Sequence, residues 1–171
     1  MRTNRLEPEF AIHTGIHALD AIRFLMGDPK GIEVMAIPHK GAGACDYLVR
    51  LNFETSAVAE LSLLLHSGMR KEAYRLTSDG ATAETTLGSA YSSQLCEPGE
   101  RYWSGEAMVR RESITDDPLI DGGFLGQYEA FFRSIQDGEA VVCSLRDAAH
   151  SMQLAEAVQN RYSGPIKSLV L

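Results

Sequence analysis

Residues 47 to 66 alternate twice, and that alternation constrains the fold more than any other feature of the chain. In YLVRLNF, Tyr47, Val49, Leu51 and Phe53 point one way while Leu48, Arg50 and Asn52 point the other. After the turn residues Glu54-Thr55-Ser56, VAELSLLLH repeats the pattern. Ala59, Leu61, Leu63 and Leu65 share one face, and Glu60, Ser62, Leu64 and His66 share the opposite one. A period of two on both sides of a polar turn specifies an antiparallel hairpin with one face in a core. The second face is not purely polar, because Leu48 and Leu64 lie on it. Helices can cover only one face of a sheet, so the other is a candidate for burial against a second subunit.

Further runs read as strands: IEVMAI (32 to 37), EAYRLTS (72 to 78), ATAETTL (81 to 87) and EAMVRRESI (106 to 114). Turn signals separate them at Ser67-Gly68, Asp79-Gly80 and Pro98-Gly99, and Asp79-Gly80 is the sharpest hairpin signal of the three. Helical spacing bounds this strand region. Ile12, Ile16, Leu19, Ile22, Leu25 and Met26 recur at three and four, and Gly27-Asp28-Pro29 ends that helix. Phe124, Tyr128, Phe131, Phe132 and Ile135 form a stripe in a second helix. SLRDAAHSMQLAEAVQNRYSG is a third, opened by a Ser144/Asp147 capping box and stopped at Gly164, with IKSLVL as a last short strand. The order of helix, about six strands, two helices and one strand predicts an α+β fold. Its open, predominantly antiparallel sheet carries helices packed on one face and uses the other for oligomerisation.

The chain has 171 residues, 44% of them hydrophobic and 23% charged, which is enough to bury a single core, so one domain over 1–171 is expected. A formal net charge of −7 argues against DNA or RNA partners, whose phosphates need Lys and Arg. The 3 cysteines, Cys45, Cys96 and Cys143, are odd in number and form no CxxC, so buried reduced thiols are expected. No apolar run approaches the length of a membrane span and MRTNRLEPEF lacks a signal-peptide core, which together predict a cytoplasmic protein with no membrane partner.

Chemistry-bearing motifs are sparse. GAGACD (41 to 46) has Asp46 where the third glycine of a dinucleotide fingerprint belongs and leads into a strand, so it reads as a turn. P-loop, GxSxG and HExxH patterns are missing. HTGIH places His13 and His17 at i and i+4 on one helical face with Asp20 one turn on, a pair able to hold a metal if further ligands join it. The alternative is packing: His13 at the helix start and His17 as a satisfied core histidine. His39, His66 and His150 read as structural or solvated.

HTGIHALDAIRFLMGD resembles the helix that opens the C-terminal domain of the Gfo/Idh/MocA oxidoreductases, with a motif of the form Asp-x-Gly-x-His-x-x-Asp and an apolar stretch ending Leu-x-Gly. Gly15, His17, Asp20, Leu25 and Gly27 match it. The resemblance continues through YLVRLNFETSAVAELSL, the GF...EAFFRSIQDGE helix and SLRDAAHSMQLAEAV, and so spans nearly the whole chain. The departure is His13, where many members carry aspartate.

The resemblance implies a C-terminal substrate and oligomerisation domain, with the N-terminal Rossmann domain absent from this chain and acting in cis or in trans. NAD or NADP belongs to the parent enzyme; this chain binds no cofactor and is inactive alone. The implied substrate is a sugar, cyclitol or related polyol. His17 is the implied catalytic residue for proton transfer, suited to it by an imidazole that titrates near neutrality. His13 and Asp20 are the implied substrate-binding residues. A homodimer or tetramer through the sheet face is expected. The rival readings are a non-catalytic binding or assembly module with the same fold, and a metal-binding protein using His13 and His17.

Overall fold

The structure is a computed structural model that describes residues 9–39, 45–67, 71–87, 92–96, 109–112, 117–121, 123–141 and 143–167. The chain divides into two compact units, Met1–Ser67 with Val142–Leu171, and Gly68–Val141.

In the first unit, a π-helical segment, Ala11–Gly15, runs without a break into α1, Ile16–Met26. Gly27 ends the helix at φ 84°, a left-handed backbone that a side chain would disfavour. Strands β1 (Gly31–Pro38), β2 (Cys45–Asn52) and β3 (Val58–Leu63) pair antiparallel, with Val34 opposite Val49 and Val49 opposite Leu61. The Glu54-Thr55-Ser56 turn closes the β2–β3 hairpin through Phe53 N–H donating to Ala57 O at 3.1 Å, with Ser56 at φ 63°. The alternation read from the sequence holds: Tyr47, Val49, Leu51, Phe53 and Leu63 are buried, whereas Leu48 and Arg50 are exposed.

The buried residues join Leu19 and Ile22 of α1 and Leu154, Ala155 and Val158 of a long C-terminal helix to the inward residues of β1, β2 and β3. Both helices therefore serve one sheet face. Met35, Ile37, Leu48, Val58 and Leu64, on the outward face, are all exposed.

The second unit holds β4 (Glu72–Ser78), β5 (Ala81–Leu87), β6 (Ser92–Cys96) and β7 (Val109–Glu112), paired antiparallel in that order. Asp79 (φ 34°) and Gly80 (φ 83°) make the two-residue turn between Ser78 and Ala81, with positive φ at both central residues as a tight hairpin requires. A short α2, Pro118–Asp121, precedes α3, Phe124–Gln136. The last helix, α4, spans Leu145–Gln159 in the first unit, and β8, Gly164–Pro165, adds to the free edge of β1.

The α+β class and antiparallel pairing agree with the sequence reading, while the hydrogen bonding divides the strands into two four-stranded sheets, β3-β2-β1-β8 and β4-β5-β6-β7. SSQLC, which shows no clear alternation, forms β6 and was not expected as a strand. Residues 106–108 and 113–114 of the EAMVRRESI run lie outside the described residues, as do Gly68 and the Pro98-Gly99 turn. Gly164 does not stop α4. Arg161 at φ 56° does so, and Gly164 lies in β8, two residues before the expected IKSLVL strand, of which 168–171 are outside the described residues. The α3 stripe forms, but Phe124, Tyr128, Phe131, Phe132 and Ile135 are exposed. Cys45 is buried as expected, and Cys143 is exposed instead. No helix among the described residues is long and apolar enough to cross a membrane.

Candidate active site and a second polar cluster

The helix opening presents the histidines outward. Ala11 and Gly15 are buried on the inner side of the π-helical segment, which leaves His13 and, one turn on, His17 exposed. Gly15 is tight against β3: a Cβ there would lie 2.8 Å from Leu63 Cδ1. The glycine of the motif therefore has a packing reason, since it lets the segment carrying His13 and His17 sit against the sheet. His13 Nε2 is 3.4 Å from Glu9 Oε2. Glu9 thus places a carboxylate beside His13 from one turn earlier.

Asp20 is drawn toward α4. Its Oδ1 accepts a hydrogen bond from the Ser151 hydroxyl and lies 3.7 Å from an Arg23 nitrogen. Arg23 organises this helix pair. Its residue is 9% exposed, and its guanidinium donates from Nε to Asp28 Oδ1 at 2.7 Å, from Nη1 to Asp147 O at 2.9 Å and Ser151 Oγ at 2.6 Å, and from Nη2 to Asp147 Oδ1 at 2.9 Å. A guanidinium this buried persists only because its donors are met by charged or polar acceptors. Burial pushes the Asp28 carboxyl up, but the hydrogen bond and charge of Arg23, aided by His150 at 3.4 Å, outweigh it and hold Asp28 below the ordinary carboxylate value. Asp147 also serves the α4 N-terminus, where its backbone N–H donates to Ser144 Oγ at 3.1 Å, the first half of the expected capping box.

Sequence reasoning missed a second cluster, His39, Asp46 and His66. Asp46 is buried on the outward side of the sheet at the start of β2, and the other two follow the ends of β1 and β3. His39 Nε2 is 2.9 Å from Asp46 Oδ2 and His66 Nδ1 is 3.2 Å from Asp46 Oδ1, with the two imidazoles stacked at 3.4 Å between ring centroids. Backbone N–H groups of Leu65 (2.7 Å) and His66 (3.2 Å) also donate to Oδ1. Burial raises the Asp46 carboxyl, and these four hydrogen bonds more than offset it, so its pKa lies below the ordinary value. The β2–β3 pairing brings His66 to Asp46, and the β1 register, with Ile37 opposite Asp46, brings His39 to them. Among the described residues, this is the group of three potential metal ligands that the fold assembles, and it does not include His13 or His17.

All strand pairs among the described residues are antiparallel. The parallel strand-helix-strand unit with a glycine-rich turn that holds a dinucleotide pyrophosphate is therefore not formed by them. GAGACD leads into β2, as the sequence indicated, although 41–44 lie outside the described residues.

The sequence profile for the oxidoreductase family C-terminal alpha/beta domain, the Gfo/Idh/MocA family, matches residues 8–164. The chain belongs to this family as its C-terminal domain. Its fold is similar to that of a Desulfitobacterium hafniense protein classed as an NADPH-dependent oxidoreductase, with 13% identity, TM-score 0.68, and coverage of 95% of this chain and 49% of that one. An Agrobacterium radiobacter oxidoreductase in complex with NAD+, L-tartaric acid and magnesium is similar at 16% identity and TM-score 0.60, covering 86% and 45%. The WlbA dehydrogenase of Bordetella pertussis, in complex with NADH and UDP-GlcNAcA, is similar at 12% identity and TM-score 0.54, covering 91% and 45%. The chain spans about half the length of these proteins. No curated protein sequence matches it.

Proposed function

We propose that the chain is the substrate-side domain of an NAD(P)-dependent oxidoreductase that acts on a sugar, cyclitol or related polyol. The observation that carries this reading is the family match over residues 8–164 together with the exposed position of His17 at the head of α1. Hydroxylated ligands in two of the similar structures, L-tartaric acid and UDP-GlcNAcA, support the substrate class.

The described residues do not form a dinucleotide cradle, so a separate nucleotide-binding domain, in cis or in trans, holds the nicotinamide and supplies hydride exchange. The part assigned to this chain is the proton. A ring nitrogen of His17 accepts it from the substrate hydroxyl and returns it in the reverse direction, the part of a general base and acid. His13, with the Glu9 carboxylate 3.4 Å away, donates or accepts a hydrogen bond to a neighbouring substrate hydroxyl. Asp20 binds substrate from the next turn while Ser151 holds one of its oxygens. The outward sheet face of Met35, Ile37, Leu48 and Leu64 joins subunits as a homodimer or tetramer.

Calorimetry with NAD(H) tests this division of labour. The 171-residue chain alone shows no binding, and the chain joined to its nucleotide-binding domain oxidises members of a polyol panel with NAD+ or NADP+. Micromolar NAD binding by the chain alone, or a joined protein inert across the panel, contradicts the reading.

A further inference from the structure

The geometry points to a divalent transition-metal site, of the Zn²⁺ type, formed by His39 Nε2, Asp46 and His66 Nδ1 at the rim of the outward sheet face. Three observations carry it. The potential ligand atoms all lie within 4.8 Å of one another. His39 and Asp46 flank the last pair of the β1–β2 hairpin, and the β2–β3 pairing brings His66 to them from 20 residues further on. Two imidazoles and one carboxylate form a donor set suited to zinc and its neighbours in the first transition row, and less suited to magnesium or calcium, which take mainly oxygen. The carboxylate is also oriented in advance: Leu65 and His66 N–H groups hold Oδ1, and Oδ2 faces His39. Backbone donors of this kind fix the direction of a ligating carboxylate in the way outer-shell groups do in metalloproteins.

The ion-free arrangement has to adjust by a small amount. Ligand atoms about 2.1 Å from a tetrahedral ion sit roughly 3.4 Å apart, so the widest separation, within 4.8 Å, closes by about 1.4 Å at most, while the two imidazole–carboxylate contacts at 2.9 and 3.2 Å open slightly. A ring nitrogen's lone pair lies in the ring plane, and near-parallel planes 3.4 Å apart do not meet at one ion. The rings therefore turn out of their stack, which their side-chain exposures of 31% (His39) and 24% (His66) permit. Each imidazole then carries its proton on the nitrogen facing away from the ion. Three protein ligands leave a coordination position for water or another small donor. The bound ion ties together the ends of β1, β2 and β3, and none of its ligands comes from the helix opening that carries His13 and His17.

Calorimetric titration of the 171-residue chain with Zn²⁺, alongside the His39→Ala and His66→Ala variants, tests the site. The expected result is one Zn²⁺ per chain, with affinity lowered about tenfold or more in each variant, the size of effect that follows loss of a metal-site group. Both variants keep Asp46 and its backbone hydrogen bonds. Zn²⁺-dependent shifts of the His39 and His66 ring resonances in the unsubstituted chain give a readout that does not depend on the variants folding. Absence of stoichiometric binding at about 100 µM Zn²⁺, binding that survives both substitutions, or ring shifts confined to His13, His17 or His150 overturns the assignment.

Discussion

The Ser151 hydroxyl on α4 donates to Asp20 on α1 while accepting from Arg23, two residues of α1 one turn apart. The hydroxyl of this 1%-exposed residue thereby couples the helix that carries His17 to the helix that backs it. Ser151→Ala removes both bonds and leaves a buried guanidinium donor without that acceptor, and an unsatisfied buried group costs about 1–3 kcal/mol. Urea unfolding is expected to show a loss of about 1–2 kcal/mol for this variant, because Asp20 is partly exposed and regains water. An unchanged midpoint would show that the bridge contributes nothing net.

The same network sets an acid limit. Asp28 titrates below its ordinary value of 3.8 in the folded chain, so its contribution is fully present above that value and is lost as pH falls through the lower, folded value. With a side chain 59% exposed, Asp28 contributes modestly after solvent screening. Stability should fall on acidification below about pH 4, and Asp28→Asn should flatten that limb. Unfolding midpoints measured between neutral and acidic pH check this; parallel curves for the two proteins contradict it.

Subunit association gives a third expectation. Met35 and Leu48 face each other across β1 and β2 on the outward side and are exposed together. If this face joins subunits, light scattering of the unsubstituted chain gives a dimer or larger species at micromolar concentration, and Leu48→Lys shifts it toward monomer. A Lys at that site in an apolar interface buries an unpaired charge, a severe penalty that an exposed position does not incur. A stable monomer before substitution excludes the face as an interface.

Much of the first unit is legible in the sequence because one side of its hairpin is buried: each of Tyr47, Val49 and Leu51 has to point inward, which fixes strand identity and register parity together. Asp79-Gly80 is legible because so few residues tolerate the backbone that a two-residue turn needs. In α1 the pattern misleads locally. Leu25 completes a three-and-four spacing yet is exposed, and Arg23 takes the buried place, since acceptors from α4 and the Gly27-Asp28 turn make burying a guanidinium tolerable there. Those acceptors are 124 or more residues away in the case of Asp147 and Ser151 and leave no local trace. The His39–Asp46–His66 group spans fewer residues but forms no motif in the sequence, because it depends on how β1 and β3 pair with β2. At the helix opening, spacing identified His13 and His17 as a pair, and the π-helical turn with Gly15 pressed on Leu63 explains why both stay exposed.

The role of His17 is tested most directly by steady-state turnover of the chain joined to its nucleotide-binding domain, with and without His17→Ala. Loss of a general acid or base lowers turnover about 10²- to 10⁴-fold. The account predicts a fall in that range with NAD(P) affinity little changed, because the cofactor is held by the other domain, and a smaller loss for His13→Ala. Near-normal turnover in the His17→Ala protein would contradict the assignment of proton transfer to this residue.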